Sequence, residues 1–213
     1  MRVVDLTHPI REDMPVYPGT ASPRLERANT LERDGFRETL LTMVSHTGTH
    51  MDAPAHMRRD GATLDRLAAD RFVGPAGLWD VSEPGRRRIE ASELEAIGDR
   101  LPLGGFLILR TGWSRHWGKR EYFEGFPCLT EEAARWLGRF GLKGVGVDAI
   151  SVDPVESTTF DVHGVLFERG EVILENLTHL EALPGEPFLL AALPLRFVDA
   201  DGSPVRAVAI LDR

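Results

Sequence analysis

Residues 46–56 read HTGTHMDAPAH, from His46 to His56, and the rest of the chain is organised around this run. It holds three of the seven histidines together with one carboxylate. Imidazole nitrogen and carboxylate oxygen are the donors that zinc and its first-row neighbours take, and a catalytic site keeps room for water beside them. On a strand, side chains alternate with a period of two, so His46, His50, Asp52 and His56 would share one side. Gly48 and Pro54 interrupt such a strand, because proline donates no ladder hydrogen bond and glycine marks a bulge or a close backbone approach. The run therefore predicts a metal site on a strand that passes into a rigid loop. Burying so many polar groups without partners would be costly, which separates this cluster from an isolated histidine. His8, His116 and His179 lack converging partners and read as ordinary core or surface residues.

Toward the N-terminus, Leu40, Leu41, Met43 and Val44 predict a buried strand over residues 36–45 that delivers the chain to His46. Residues 28–35 are charged and polar, and predict a loop or flexible lid. Val3 and Val4 predict a short opening strand, followed by turns at Pro9, Pro15, Pro18 and Gly19. Tyr17, inside that stiff segment, is either a core plug or one wall of a binding cleft.

Toward the C-terminus, the period alternates between strand and helix. Leu64 and Leu67 predict a short helix or turn, residues 72–81 a strand, residues 90–97 a helix, and Phe106-Leu107-Ile108-Leu109 a fully buried strand ending in a turn at Thr111-Gly112-Trp113. A helix capped by Thr130 and stopped near Gly141 follows. Next come a glycine-interrupted strand over residues 143–148, a helix over 158–169 containing His163, and a strand over 171–175. This is the pattern of βαβ units. Ser151 and Asp153 gather at a strand end, where they either serve a ligand or cap the loop. Glu175 ends the apolar run Val172-Ile173-Leu174, and a carboxylate there calls for a partner or a metal. Residues 188–195 and 205–211 supply further strands, with Asp201-Gly202 as a hairpin turn. The expected architecture is α/β, one domain over residues 1–213, with a mixed, partly barrel-like sheet flanked by a few helices.

A chain of 213 residues can bury a sizeable core, and 42% hydrophobic with 27% charged residues is a globular composition. Cys128 is the single cysteine, so no intramolecular bridge forms, which fits a cytoplasmic address. The first residues predict neither a secretory signal nor a membrane span. With a net charge of −8 and Arg86-Arg87-Arg88 as the densest basic run, nucleic acid is excluded as the expected partner. That triplet reads as a solvated turn.

The run HTGTHMDAPAH resembles the His-x-Gly-Thr-His-x-Asp-x-Pro-x-His signature of the cyclase family of metal-dependent hydrolases, which includes bacterial kynurenine formamidase and isatin hydrolase. VVDLTHPIREDMPVYPG near the start, LRTGW, GVDAISVDP, and His163 with Glu175 resemble the family's other landmarks in their order. The resemblance implies that His46, His50 and Asp52 hold one divalent metal, zinc or manganese. It implies that Asp52, His163 and Glu175 hold a second where two ions bind, with Asp52 bridging and Glu175 reaching both. It makes His56 the acid/base residue and places Tyr17 in the substrate pocket. Ser151 and Asp153 would support ligands from outside. Kynurenine formamidases usually carry alanine at the position of Thr49 and tryptophan at that of Tyr17, which weakens the formylkynurenine assignment but not the hydrolase one.

The implied reaction is attack of metal-activated water on an amide, formamide or lactam carbonyl. The most specific form is arylformamidase, converting N-formylkynurenine to kynurenine and formate in tryptophan catabolism. An isatin hydrolase-like cyclic amidase, a biosynthetic cyclase or dehydratase, and a metal-binding protein without turnover are the alternatives. The expected partners are a small-molecule amide and further copies of the chain, as a dimer or tetramer.

Overall fold

The computed structural model describes residues 1–98, 101 and 103–211. The first half of the chain forms β1 (Arg2–Asp5), β2 (Arg24–Asn29), α1 (Leu31–Asp34), β3 (Glu38–Thr42), β4 (His50–Asp52), β5 (Val73–Asp80), β6 (Arg88–Ile89) and α2 (Ala91–Glu95). The second half forms β7 (Phe106–Arg110), β8 (Cys128–Leu129), α3 (Glu131–Leu137), β9 (Gly144–Val147), α4 (Asp161–Glu168), β10 (Val172–Glu175), β11 (Phe188–Ala191), β12 (Gly202–Pro204) and β13 (Val208–Leu211). Nine strands make one sheet, in the order β1-β13-β11-β5-β7-β9-β10-β4-β12, curled into a half-barrel.

Its centre is parallel. β5, β7, β9 and β10 lie side by side, and each step between them crosses through a helix, α2, α3 and α4 in turn. This is the βαβ alternation read from the sequence. Antiparallel strands extend both sides, with β4 and β12 beyond β10, and β11, β13 and β1 beyond β5.

β7 explains its own unbroken apolar run. Leu107 and Leu109 face the helices with Leu94, Leu137 and Leu166, while Phe106 and Ile108 enter a second core with Leu6, Met51 and Leu190. A strand buried on both faces needs apolar residues at every position. In β9 the glycines serve close packing, because a Cβ on Gly144 would run into the Val172 carbonyl and one on Gly146 would stand 2.7 Å from Ile108 Cδ1. The start of α3 is local chemistry, since the Thr130 hydroxyl accepts from Ala133 N–H at 3.1 Å; the helix ends at Leu137 and the chain runs on through a 3-10 turn, Gly138–Phe140, that left-handed Gly141, with φ 56°, brings to a stop.

Two expectations are corrected. The strand over residues 36–45 is β3, and it is exposed throughout, with Leu40 54% and Leu41 51% accessible. Among the described residues it pairs only with β2, as a two-stranded ribbon outside the main sheet. The segment over residues 28–35 is not a loop, since it contains the end of β2 and the short helix α1, capped by Thr30 and ended by left-handed Gly35. Among the described residues, no helix is long and apolar enough to cross a membrane.

Candidate metal centre

β4 carries only His50 to Asp52, so strand alternation places two of the four motif residues. His50 lies in register with Glu175 on β10 and with Pro204 on β12; Asp52 lies opposite Ile173 and Gly202. The single strand side expected for all four residues is thus corrected. His46 returns to the cluster through a turn at Gly48, whose φ is 65°, and His56 through a single 3-10 turn over Pro54–His56. α4 supplies His163 from the helical side of the sheet.

The side chains converge on Asp52. Its Oδ1 is 2.6 Å from His46 Nδ1 and 3.1 Å from His50 Nε2, and its Oδ2 is 3.8 Å from His163 Nε2. Glu175 is arranged likewise, with Oε1 3.5 Å from His163 Nε2 and Oε2 3.6 Å from His50 Nε2. Each carboxylate therefore offers one oxygen to either group of imidazoles. The donor atoms fall into three compact sets that share residues: His46 with His50 and Asp52, Asp52 with His163 and Glu175, and His46 with His56 and Asp201.

The outer contacts fix which ring nitrogen faces inward. His163 Nδ1 lies 2.6 Å from Asp153 Oδ2, and the same carboxylate accepts the backbone N–H groups of Val162 and His163 at 3.0 Å. His50 Nδ1 lies 2.8 Å from the Gly48 carbonyl. Both rings thereby turn Nε2 toward the centre, the arrangement that ligating histidines take. The Ser151 hydroxyl accepts the Asp153 N–H at 3.2 Å, so the polar gathering at the end of β9 is built around the site.

Two residues escaped the sequence reading. Asn176, left-handed with φ 56°, donates its amide to the Gly48 carbonyl at 2.9 Å and accepts the Tyr122 hydroxyl at 2.8 Å. An asparagine directly after a strand-end glutamate was the available signal, because asparagine tolerates that backbone. Asp201, assigned from sequence to a turn, places Oδ2 3.0 Å from His46 Nε2. His8, His116 and His179 stay outside the cluster, His8 stacked on Trp117 with centroids 3.8 Å apart.

The charge of the cluster fits a divalent cation. Asp52 and Glu175 are buried side by side, with Asp153 behind them. Burial opposes the charged form of His46, yet Asp52 and Asp201 hold its pKa up at about 9; His50 and His163 are raised by their carboxylate neighbours in the same sense. Buried carboxylates demand compensating positive charge, and a metal provides it while leaving the imidazoles neutral to ligate. His56 differs, since burial, reinforced by the His46 and His163 charges against the pull of Asp52, lowers it to about 4.

These residues open onto a cavity of about 450 Å³, within the range of small-molecule sites. Val16, Tyr17, Val44, Met57, Ile150 and Phe160 make its apolar walls. Tyr17 is thus a cleft wall, anchored by its hydroxyl donating to the Val155 carbonyl at 3.2 Å.

Residues 4–154 match the model of the Cyclase family, described as "Putative cyclase". The chain is 37% identical over 209 residues to the kynurenine formamidase of Bacillus cereus (strain ATCC 14579), covering 96% of this chain and 95% of that one. The chain belongs to the Cyclase family. Another family relative, the kynurenine formamidase of Bacillus mycoides (strain KBAB4), shows the same identity and coverage. Among solved structures, isatin hydrolase A from Ralstonia solanacearum superposes with a TM-score of 0.89 at 28% identity, covering 99% of this Cyclase-family chain and 92% of that one. A structure titled as a potential metal-dependent hydrolase with cyclase activity superposes with a TM-score of 0.79 at 31% identity, over 98% and 96% of the two chains.

Proposed function

We propose that the protein is a metal-dependent hydrolase that cleaves the C–N bond of a small amide, formamide or lactam, most specifically an arylformamidase converting N-formylkynurenine to kynurenine and formate in tryptophan catabolism. The observation that carries this reading is the convergence of His46, His50, Asp52, His163 and Glu175 at the end of an apolar cavity, beside a free imidazole. His46, His50 and Asp52 would hold one zinc or manganese ion, and Asp52, His163 and Glu175 a second. A bound divalent metal supplies Lewis acidity to the scissile carbonyl and to water. His56, neutral near pH 7, takes the proton from the attacking water and returns it to the leaving nitrogen as the C–O bond forms and the C–N bond breaks. Tyr17 and the other apolar walls take up the aryl ring and exclude water from around it.

The lining favours a second substrate within the same chemistry. Among the described residues, no lysine or arginine lines the cavity, which suits an uncharged lactam such as isatin as well as an anilide. Hydrolysis of N-formylkynurenine and of isatin by zinc- or manganese-loaded protein, with a chelated control, decides between them. Metal-dependent deformylation establishes the arylformamidase, isatin opening alone makes it a cyclic amidase, and firm metal binding without turnover of either refutes both substrates. The small amide is the expected partner, together with further copies of the chain as a homodimer or tetramer; light scattering at the mass of one 23.6 kDa chain would overturn the oligomer.

A further inference from the structure

Asp201 and Gly202 lie far along the chain from the histidine motif, yet both are fitted around His46. β12 begins at Gly202, in register with Asp52 of β4, and Ala53 N–H donates to the Asp201 carbonyl at 2.9 Å. The backbone of this pair is therefore fixed to the strand that carries the ligands. A Cβ on Gly202 would stand 2.5 Å from His46 Cε1 and 2.7 Å from its Nε2, so the imidazole lies against backbone that only glycine leaves open. Beside that seat, Asp201 Oδ2 is 3.0 Å from His46 Nε2 and 3.8 Å from His56 Nδ1. The two rings are 3.9 Å apart and tilted by 35°, which turns a nitrogen of each toward the one carboxylate oxygen. The other nitrogen of His46, Nδ1, points to Asp52.

We propose that Asp201 is a positioning residue shared by His46 and His56: it accepts the Nε2–H of His46, leaving Nδ1 for the metal, and it steers the Nδ1 edge of His56, leaving Nε2 to exchange the proton. The role rests on the reading of His46 as a ligand and His56 as the proton carrier. A ligating histidine needs an acceptor on its second nitrogen to fix its tautomer, and a histidine that becomes cationic during proton transfer is stabilised by a carboxylate beside it. One residue supplies both here because the two rings lie 3.9 Å apart with a nitrogen of each near the same carboxylate oxygen. The same geometry has a rival, since His46, His56 and Asp201 are close enough to share an ion themselves.

Asp201→Ala, Asp201→Asn and Gly202→Ala separate these roles. Zinc affinity of the chelated protein is read first, without substrate, by competition with a chromophoric chelator. It falls about 10–100-fold in Asp201→Ala, with the number of zinc equivalents unchanged. Asp201→Asn keeps an acceptor oxygen and recovers most of that affinity, and Gly202→Ala, which displaces His46 while keeping Asp201, lowers it again. At saturating zinc, on the substrate that the parent turns over, both Asp201 variants lose at least about tenfold in kcat while KM stays within about twofold. Parental affinity and parental kcat in Asp201→Ala overturn the proposal. Reduced affinity with parental kcat overturns the shared role, and loss of a zinc equivalent makes Asp201 a ligand and overturns positioning. Should Asp201→Ala not fold, parental kcat in Asp201→Asn overturns the His56 role and parental affinity in Gly202→Ala overturns the His46 seat. Zinc affinity needs no turnover, so failure of the hydrolase reading is told apart from failure of this one.

Discussion

His56→Ala removes the one imidazole of the centre that no carboxylate holds at hydrogen-bond distance. Zinc content measured by mass spectrometry should stay near normal while turnover falls roughly 10²–10⁴-fold, the usual contribution of a general acid/base; retained turnover would remove His56 from the proton path. Glu175→Ala tests the other function of the cluster. Its two oxygens face different imidazoles, so the bound zinc should fall by half or vanish, and an unchanged stoichiometry would refute two ions. Away from the centre, Glu171 is 1% exposed, its Oε2 has no hydrogen-bond partner among the described residues, and burial raises its pKa to about 7 against the pull of Arg169 and Arg71. The folded state keeps a proton that the unfolded chain releases above about pH 4.5, so stability from this group is complete below that and is lost as pH rises through 7. The loss is roughly 3 kcal/mol at ~1.4 kcal/mol per pKa unit. Glu171→Gln should flatten the fall of Tm between those two pH values; an unchanged slope would locate the titration elsewhere.

At the scale of elements, β9 shows how packing decides what a pattern means. Gly144 and Gly146 look like interruptions of a strand, yet each meets a neighbour where a Cβ would stand. Gly144→Ala should cost about 1–3 kcal/mol by overpacking. In a chain of this size that is a Tm lower by roughly 2–4 °C per kcal/mol in a thermal melt. Most elements were legible because their signals are local: Thr130 caps the start of α3, Gly141 stops the 3-10 turn that follows it, and the run from Phe106 to Leu109 is apolar at every position because both faces of β7 are covered. β3 was not legible in this way. An apolar run such as Leu40-Leu41 shows that a strand has apolar faces but not what covers them, and here it pairs with β2 away from the core.

For the whole molecule, the centre ties together β4, α4, β10 and the start of β12, so metal binding acts on the sheet and its helical layer at once. Chelation should therefore lower the Tm, and zinc at about a thousandfold over its Kd should restore roughly 4 kcal/mol. A melt indifferent to chelator would mean that the folded chain does not bind metal more tightly than the unfolded one.

The sequence by itself determined the ligand types, their grouping in HTGTHMDAPAH, the strand-helix alternation and the family resemblance, because each is written in spacing along the chain. Only the tertiary structure decided that Asp201 and Asn176 join the centre, that Tyr17 walls the cavity, and that β3 lies exposed. His46 and Asp201 are 155 residues apart and meet at 3.0 Å because β12 pairs with β4. Which strand pairs with which is a long-range property: the alternation along a strand shows which face is buried, and so constrains register, but does not name the partner strand.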